Sequence, residues 1–381
     1  MSKLPKKLHS RLNKRLEEDA LRSLKSYDVK FDFSSNDYLG MAQNSAEFAS
    51  ADSHNSGATG SRLLTGNHNS YTSFENTLCD FHDVEAALTF NSGYDANLGL
   101  ISAIGLRGDL ILYDALAHAS IRDGIQLAKA KSLKFRHNDL EHLEQLLEQQ
   151  ASVSEHSYVI TESVFSMDGD SPDLIEMVKL CERYNAHLIV DEAHALGVFG
   201  ERGEGLVQHL GLQKQVFARL VTFGKALGYH GAAVLGSNDL KSYLVNFARS
   251  LIYTTALPES HLGELNNRYL WMRDSSEFSE RSQKLHRNIA LLRSYSEEYE
   301  VSKNINESNS AIHTVLVPGN SRVKAVASQL LEEDFGVLPI LAPTVPQGTE
   351  RIRICLHSYN KQTEIKSLID KLASILAKHA Q

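Results

Sequence analysis

The sequence predicts an α/β protein with a mostly parallel central sheet and helices on both faces. Short apolar runs alternate with helical segments from about residue 86 to residue 235, and a second, smaller alternation occupies residues 311–378. The runs of the first region are almost continuously hydrophobic, which is typical of strands that are buried on both faces. A chain of 381 residues with 42% hydrophobic residues can bury such a core, and its length favours two domains.

The N-terminal region predicts a helix and then a short strand. Apolar residues recur at a spacing of four, so we expect an amphipathic helix packed on the body of the protein. These residues are Leu4, Leu8, Leu12, Leu16, Ala20 and Leu24. The segment FDFSSNDYLG at 31–40 predicts a short strand that runs into a turn. Residues 57–70 are rich in glycine and small polar residues, which suits an ordered loop near a site and a plain surface loop equally well.

The two alternating regions define the remaining elements. Strands are predicted at 86–90, 110–113, 158–161, 188–191, 220–223 and 231–235, with helices around 93–105, 118–130, 139–150 and 172–184. In the second region the strands are predicted at 311–317 and 351–356 and the helices at 321–334 and 361–378. We therefore predict an N-terminal helix and arm over 1–36, a large domain over 37–270 and a smaller C-terminal α/β domain over 271–381.

The composition argues against several classes of function. A net charge of −8 and a pI of about 6.1 disfavour a broad surface for nucleic acid or anionic membrane. No apolar run reaches the ~18–20 residues of a membrane span, and the acids at 17–19 disfavour a transit peptide. Cys79, Cys181 and Cys355 are odd in number and lack a C-x-x-C pair, so we expect reduced thiols in a cytoplasmic protein, without a metal site.

Four polar motifs follow predicted strands at the point where each strand ends. They are SGYDAN (92–97), TESVFSMDGD (161–170), DEAHALG (191–197) and TFGKALG (222–228). Ligands of open α/β sheets bind beyond the carboxyl ends of the strands. We therefore expect the four motifs to converge on one binding site.

The residue types in these motifs suit pyridoxal phosphate (PLP). This cofactor needs an amine for its Schiff base, an acid for its pyridine nitrogen and an anchor for its phosphate. Lys225 supplies the amine, and Asp191 closes a hydrophobic strand where a buried carboxylate needs a cationic partner, although it could instead cap a helix. Gly93 and Tyr94 open a helix whose amides suit a phosphate, and Thr222 could add a hydroxyl.

Two histidines and the DEAH motif leave alternatives open. His194 could bind the phenolic oxygen of the cofactor and His118 could stack on its ring, but these two with Asp191 are also metal-ligand types. The letters DEAH also occur in nucleic-acid-dependent ATPases. Such enzymes need a phosphate loop, and here Gly224-Lys225 is followed by alanine, with Arg219 in the position of the first glycine. The ATPase interpretation is therefore disfavoured.

From about residue 16 to the C-terminus the chain resembles the α-oxoamine synthases, PLP enzymes of fold type I. The motifs that carry the resemblance are FSSNDYLG, SGYDAN, AHAS, VFSMDGD, DEAH-x-x-G and TFGK in that order, then PTVPQGTERIRI. The resemblance implies a homodimer with composite active sites that condenses an amino acid with an acyl thioester and releases carbon dioxide.

The resemblance also implies roles for individual residues. Lys225 carries the cofactor, Asp191 binds its pyridine nitrogen, and His118 stacks on its ring. Its phenolic oxygen faces His194 and Ser166, and Glu162 is a supporting acid. The phosphate is held by Gly93, Tyr94 and Thr222, with Thr254 and Thr255 reaching the phosphate of the partner subunit. The implied substrate contacts are Arg353 for the amino-acid carboxylate (with Arg351 as the alternative), Asn36, Arg22 and Thr344.

Four segments are most similar to the members of biotin synthesis that use L-alanine and a pimeloyl thioester. They are FSSNDYLG, IYTTALP, FGKALGYHGAAVL and PTVPQGTERIRICL. Many members have DEAHGTG where this chain has DEAHALG, so Ala195 changes the space beside His194. A synthase for another amino acid or acyl-CoA, such as a 2-amino-3-ketobutyrate ligase or a long-chain aminoketone synthase, stays an alternative. A non-catalytic partner subunit is disfavoured, because Lys225 and Asp191 are both present.

Overall fold

The computed structural model describes residues 4–49, 57–150 and 154–379. These residues form two compact units. The large unit comprises residues 36–166 and 170–283, and the small unit comprises residues 1–35, 167–169 and 284–381, each over its described part. The N-terminal arm and the C-terminal segment, which we predicted as separate parts, thus belong to one unit. The large unit extends beyond the predicted boundary at residue 270.

The elements are numbered along the chain. The strands are β1 Phe31–Asp32, β2 Ala86–Phe90, β3 Leu110–Asp114, β4 Lys131–Phe135, β5 Ser157–Glu162, β6 Ala186–Asp191, β7 Ala218–Thr222, β8 Ala232–Gly236, β9 Ile312–Leu316, β10 Phe335–Gly336, β11 Leu338–Ile340 and β12 Arg351–Cys355. The helices are α1 Lys6–Glu17, α2 Asn69–His82, α3 Gly93–Ile104, α4 Ala119–Leu127, α5 Leu140–Gln150, α6 Leu174–Arg183, α7 Leu206–His209, α8 Asn238–Phe247, α9 Arg249–Ile252, α10 Glu259–Asp274, α11 Ser276–Glu298, α12 Asn320–Glu332 and α13 Gln362–His379. Two 3-10 turns lie at Ser45–Phe48 and Ser302–Asn304.

The large unit is built on a mostly parallel sheet with the strand order β2-β8-β7-β6-β5-β3-β4. Only β8 runs antiparallel to its neighbours, β2 and β7, so β2 and β7 point the same way. The carboxyl ends of β2, β3, β5, β6 and β7 therefore lie at one edge of the sheet. This edge, which we call the rim, is where the sequence places the four polar motifs.

Both faces of this sheet are buried, as the continuous apolar runs predict. Successive residues of β3 point to opposite faces, so Ile111 joins one apolar cluster and Leu112 joins the other. The first cluster includes Leu100 of α3, and the second includes Met177 of α6. The prediction of helices on both faces is confirmed.

The edge strand β4 has no counterpart in the sequence prediction. Its residues KSLKF bury only Phe135 fully, while Lys131 and Lys134 are exposed. An edge strand with solvated lysines lacks the apolar run that marks the inner strands. The strands β10 and β11 span only two and three residues, which is too short for a recognisable pattern in the sequence.

The small unit contains an antiparallel sheet in the order β11-β12-β9, with α12 and α13 among its helices. Its strands β9 and β12 and both helices agree with the second predicted alternation. β1 pairs in parallel with β10, where Phe31 and Phe335 are partners.

The expectation for the N-terminal helix was wrong in two respects. α1 has no buried residue, and Leu4, Leu8, Leu12 and Leu16 are between 38% and 64% exposed, so within the described residues this helix does not pack on the body. The helix also ends at Glu17 rather than continuing to residue 24. Its last carbonyls accept from Asp19 N (3.1 Å) and Ala20 N (2.8 Å), and Asp19 is left-handed with φ 51°. This is a Schellman arrangement, which stops a helix regardless of the apolar stripe beyond it.

In the described ranges, no helix combines the length and the apolar character needed to cross a membrane. Within the described residues Cys79, Cys181 and Cys355 form no disulfide, and the last two are buried. Burial raises the pKa of the Cys181 thiol to about 12. Cys181 and Cys355 are 2% and 0% exposed, in agreement with the prediction that they are core residues.

Candidate active site

Asp191 is the buried carboxylate of the rim. It ends β6, is 5% exposed, and accepts from Ala193 N at 2.9 Å and from Asn97 Nδ2 at 2.7 Å. The contact to Ala193 closes a local turn, whereas no regular helix begins until Leu206. A carboxylate has about four acceptor positions. Asp191 can therefore hold its turn and still face a cation.

Glu162 lies beside Asp191 in the sheet, since the two residues are register partners on β5 and β6. It is 3% exposed and accepts from the backbone N of His118 at 2.7 Å. Burial, reinforced by the charge of Asp191, raises the pKa of Glu162 to about 8 against the opposing charge of Lys225. A pKa of about 8 keeps Glu162 mostly protonated, and therefore neutral, at pH 7.

Lys225 follows β7 at the same rim. It is half-buried, and its carbonyl accepts from Gly228 N at 2.7 Å, which closes a tight turn after the strand. Its ammonium lies within electrostatic reach of two other rim residues. The charge of Lys225 lowers the pKa of Glu162 and adds to the desolvation that lowers the pKa of His118. The predicted amine and the predicted acids are thus brought together.

The N-terminus of α3 and the end of β7 form a cradle for an anion. α3 begins at Gly93 after the capping residue Ser92, and the first amides of a helix have no acceptor within it. Thr222 is 8% exposed, and its Oγ1 is buried without a hydrogen-bond partner. A Cβ atom on Gly93 would lie only 2.5 Å from Thr222 Cγ2, so glycine permits this close approach. Tyr94, the next residue, donates its hydroxyl to Asp123.

Both predicted histidines are at the rim, each held by a residue that the sequence analysis missed. His118 caps α4, and its Nδ1 lies 2.8 Å from Ser120 Oγ. His194 Nδ1 lies 2.8 Å from the hydroxyl of the fully buried Tyr38, which also donates to Asn36 Oδ1 at 3.2 Å. Tyr38 thus joins Asn36 to His194. Tyr38 stands inside the quoted motif FSSNDYLG, but nothing in the letters shows its partner.

Asn97 is a further residue of the site whose role the sequence does not reveal. It is 2% exposed on α3, and its Nδ2 contacts Asp191 and also Ser120 Oγ at 3.0 Å. Asn91 behaves similarly at the end of β2. Its Nδ2 donates to Thr254 Oγ1 at 3.0 Å and to the carbonyl of Thr255 at 2.8 Å. The predicted phosphate segment 254–255 is therefore tied to the rim.

Arg22, Thr344 and Arg353, three of the predicted substrate residues, belong to the small unit. Arg22 lies beyond α1, not on it as predicted, and its Nη2 donates to Thr344 Oγ1 at 3.0 Å. Arg353 is 9% exposed on β12, and its Nη1 lies 3.0 Å from Cys355 Sγ. Arg351 pairs with Asp168 and donates to the carbonyl of Thr349 at 2.8 Å, so it has an evident structural role.

Ser166 is half-buried in the loop that follows β5. The loop is closed by a hydrogen bond from Phe165 N to Asp170 O at 2.9 Å. In the described ranges, no group of three or more His, Cys, Asp and Glu residues is arranged to hold a metal ion.

The family model described as aminotransferase class I and II matches residues 28–372. The chain belongs to this family. Among curated relatives, the 8-amino-7-oxononanoate synthase of Emericella nidulans is 38% identical over 374 residues, covering 91% of this chain and 89% of that protein. The family assignment removes the ATPase interpretation of DEAH.

Similar solved structures support the same family assignment. Serine palmitoyltransferase from S. paucimobilis, with a bound aldimine of PLP and myriocin, has a TM-score of 0.86 at 25% identity over 98% of both chains. The 8-amino-7-oxononanoate synthase of Francisella tularensis has a TM-score of 0.75 at 26% identity over 92% of this chain and 99% of that one. The predicted fold-type I transferase fold, the PLP cofactor and the enzyme class are confirmed.

The residues of the rim fit PLP. Lys225 offers the amine, and Asp191 offers a buried negative charge for a ring nitrogen that carries a proton. The unpartnered Thr222 hydroxyl and the first amides of α3 offer hydrogen-bond donors for a phosphate.

Proposed function

We propose that the chain condenses L-alanine with a pimeloyl thioester to give 8-amino-7-oxononanoate, carbon dioxide and a free thiol, as a step of biotin synthesis. The carrier of the thioester is CoA or a carrier protein. The observation that carries the substrate assignment is the similarity to the synthase of Emericella nidulans, at 38% identity over 91% of this chain. The rim supports the chemistry, because it joins an amine, a buried charge and an anion cradle.

The cofactor, when bound, supplies an electron sink that makes the α-carbon of the amino acid acidic. Asp191 stabilises the positive charge on which this sink depends, and Asn97 holds the carboxylate in place at 2.7 Å. Glu162 remains neutral at pH 7 because of its raised pKa. The site therefore does not place two negative charges side by side.

Lys225 is the proposed base that removes the proton from the α-carbon of alanine. Its amine lies at the rim, close enough to Glu162 to lower the pKa of that acid. A base held at a fixed position removes a proton more effectively than a water molecule of the bulk solvent. The electron pair left on the α-carbon attacks the thioester carbonyl, the C–S bond breaks and the thiolate leaves, taking a proton from solvent to become the free thiol. The carboxylate of alanine then departs as carbon dioxide, and a proton returns to the α-carbon.

His118 is the proposed hydrogen-bond donor to the thioester carbonyl oxygen. Negative charge develops on this oxygen during attack, and a donor fixed in advance stabilises it. Desolvation and the charge of Lys225 lower the pKa of His118 although Asp191 opposes them, so the ring is neutral at pH 7 and donates from one nitrogen.

Arg353 is proposed to bind the carboxylate of alanine, on the strength of the family resemblance. A guanidinium recognises a carboxylate through two parallel hydrogen bonds. Arg351 suits this role less well, because Asp168 already pairs with it. Asn36, Arg22 and Thr344 remain proposed substrate contacts, and Ser166 and His194 remain proposed contacts of the phenolic oxygen.

The active form is proposed to be a homodimer in which Thr254 and Thr255 complete the phosphate site of the partner subunit. Asn91 Nδ2 donates to Thr254 Oγ1 and to the carbonyl of Thr255, which fixes the position of this segment. The role in the partner's phosphate site is proposed on the strength of the family resemblance.

The experiment that tests the substrate assignment is a thiol-release assay over a grid of amino acids and acyl thioesters. L-Alanine with pimeloyl thioester is expected to outperform glycine with acetyl-CoA or succinyl-CoA, and serine with palmitoyl-CoA. A hydrophobic pocket discriminates one methyl group by only ~1–3 kcal/mol, so the amino-acid preference is expected to be moderate. A tenfold preference for glycine, or a preference for long fatty acyl groups, would contradict the proposal.

A serine palmitoyltransferase activity is the second candidate, because the S. paucimobilis enzyme has the higher TM-score of the two solved structures. Its identity of 25% is well below the 38% of the Emericella nidulans relative. The same grid decides between them.

A further inference from the structure

A chain of hydrogen bonds connects Asp191 to His118 through Asn97 and Ser120. Asn97 Nδ2 lies 2.7 Å from Asp191 Oδ2 and 3.0 Å from Ser120 Oγ. Ser120 Oγ in turn lies 2.8 Å from His118 Nδ1. Asn97 and Ser120 are 2% and 1% exposed, so water does not replace these contacts.

The chemistry of the groups sets the direction of each bond. An ionised carboxylate can only accept, so Asn97 must present its amino group to Asp191. The second hydrogen of that amino group then donates to Ser120 Oγ. Ser120 then has its own hydroxyl hydrogen to donate to His118 Nδ1 on its other side.

The backbone gives the same direction independently. The backbone N of Ser120 lies 3.3 Å from His118 Nδ1 and can only donate. Two donors therefore meet at Nδ1, which must be the unprotonated nitrogen of a neutral ring. The proton of the neutral imidazole then resides on Nε2.

We propose that Asn97 is a positioning residue that holds His118 in its Nε2-protonated form, so that Nε2–H is the hydrogen-bond donor for the thioester carbonyl. This inference rests on the proposed function, which supplies the acyl substrate. Asn97 acts through Ser120 and does not itself touch the acyl group. Asn97 also orients Asp191. A single side chain therefore positions both the carboxylate of Asp191 and the donor nitrogen of His118.

The neutrality of the ring makes the position of its proton important. Desolvation and the charge of Lys225 lower the pKa of His118. A doubly protonated ring would donate from both nitrogens whatever its neighbours, whereas a neutral ring donates from one. Ser120 and Asn97 decide which nitrogen this is.

The test is ¹⁵N NMR of the histidine side chains in the purified protein, with and without PLP, at pH 7. The His118 signals are assigned by their loss in His118→Gln. In the wild type we expect an unprotonated Nδ1 and a protonated Nε2. Asn97→Ala should shift both signals toward an average of the two tautomers. It should also lower kcat for thiol release by at least about tenfold while the KM for the thioester changes less than twofold.

Ser120→Ala is the second variant. It removes only the hydroxyl link and keeps the contact between Asn97 and Asp191, so it tests the tautomer if Asn97→Ala does not fold. It should shift the same two signals. The matched control is Asn267→Ala on α10, whose amide donates to the carbonyl of Phe48 at 3.2 Å away from the chain of contacts. It should leave the His118 signals and kcat unchanged.

A wild-type protein with the proton on Nδ1, or variants that leave the tautomer unchanged, would overturn the inference. The NMR result does not depend on which acyl thioester is used. If no thioester releases thiol while the predicted tautomer is observed, the proposed function fails and the positioning role of Asn97 stands.

Discussion

Replacing His137 with glutamine should make the protein less stable at neutral pH but not at pH 10. His137 follows β4 in the large unit, with Nδ1 2.8 Å from Asp114 Oδ1 and Nε2 2.8 Å from Asp170 Oδ2. Burial alone would lower the pKa of His137, but the hydrogen bonds to the two aspartates outweigh it and raise the pKa to about 9. The ring is therefore a cation held between two acids.

The magnitude follows from the pKa. A rise from 6.5 to about 9, at about 1.36 kcal/mol per unit, corresponds to about 3 kcal/mol of stability when the ring is protonated in both states. Because the folded-state pKa is raised, this contribution is complete below about pH 6.5 and disappears as the pH rises through about 9. Linkage predicts about 1 kcal/mol remaining at pH 8 and close to none at pH 10.

The assay is urea unfolding of the wild type and His137→Gln at intervals from pH 6 to pH 10. The difference in unfolding free energy should shrink over this range, whereas an exposed control, His209→Gln, should give a constant and small difference. If the difference in unfolding free energy between His137→Gln and the wild type is independent of pH, His137 is not a cation stabilised by Asp114 and Asp170. That result would leave only the packing of its ring on Phe165, at 4.5 Å between centroids.

Three further predictions concern the rim. Asp191→Asn should weaken PLP binding far more than it lowers the melting temperature, because a neutral amide cannot balance a protonated ring nitrogen. Fluorescence titration measures the affinity, and an unchanged PLP affinity would mean that Asp191 only caps its local turn. Relative to the wild type, Glu162→Gln should become more stable as the pH rises from about 4.5 to 8. In that interval the carboxyl of the unfolded wild type releases its proton, whereas the carboxyl of the folded wild type keeps it. Urea unfolding measures the difference, and the same pH dependence in both proteins would contradict the prediction. Mixing Lys225→Ala with a Thr254/Thr255 double-alanine variant should restore activity through heterodimers with one intact site, and a fully active monomer in sedimentation would rule out the composite site.

The fold could be predicted where burial leaves a pattern in the sequence. β2 and β6 are nearly continuous apolar runs because both of their faces are covered. β4 could not be recognised, because its position at the sheet edge lets Lys131 and Lys134 reach solvent. α1 shows the opposite error. Its leucine stripe correctly predicted an amphipathic helix, but a stripe does not show what covers it, and within the described residues its leucines are exposed.

The site divides in the same way. Lys225, Asp191 and Thr222 could be found because each stands at the end of an apolar strand, where parallel topology brings them together. Asn97, Ser120 and Tyr38 could not, because their roles depend on hydrogen bonds between residues far apart in the chain, such as Tyr38 with His194. The raised pKa of Glu162 is likewise a product of burial beside Asp191 in three dimensions.

The covalent attachment of PLP to Lys225 can be tested directly. The holoenzyme is reduced with borohydride and digested, and the peptides are mapped by mass spectrometry. We expect the cofactor mass on the peptide that contains Lys225, its loss in Lys225→Ala, and its retention in Lys241→Ala, whose lysine pairs with Glu75 at 2.8 Å. Cofactor attached to another lysine, or to none, would show that Lys225 does not carry PLP.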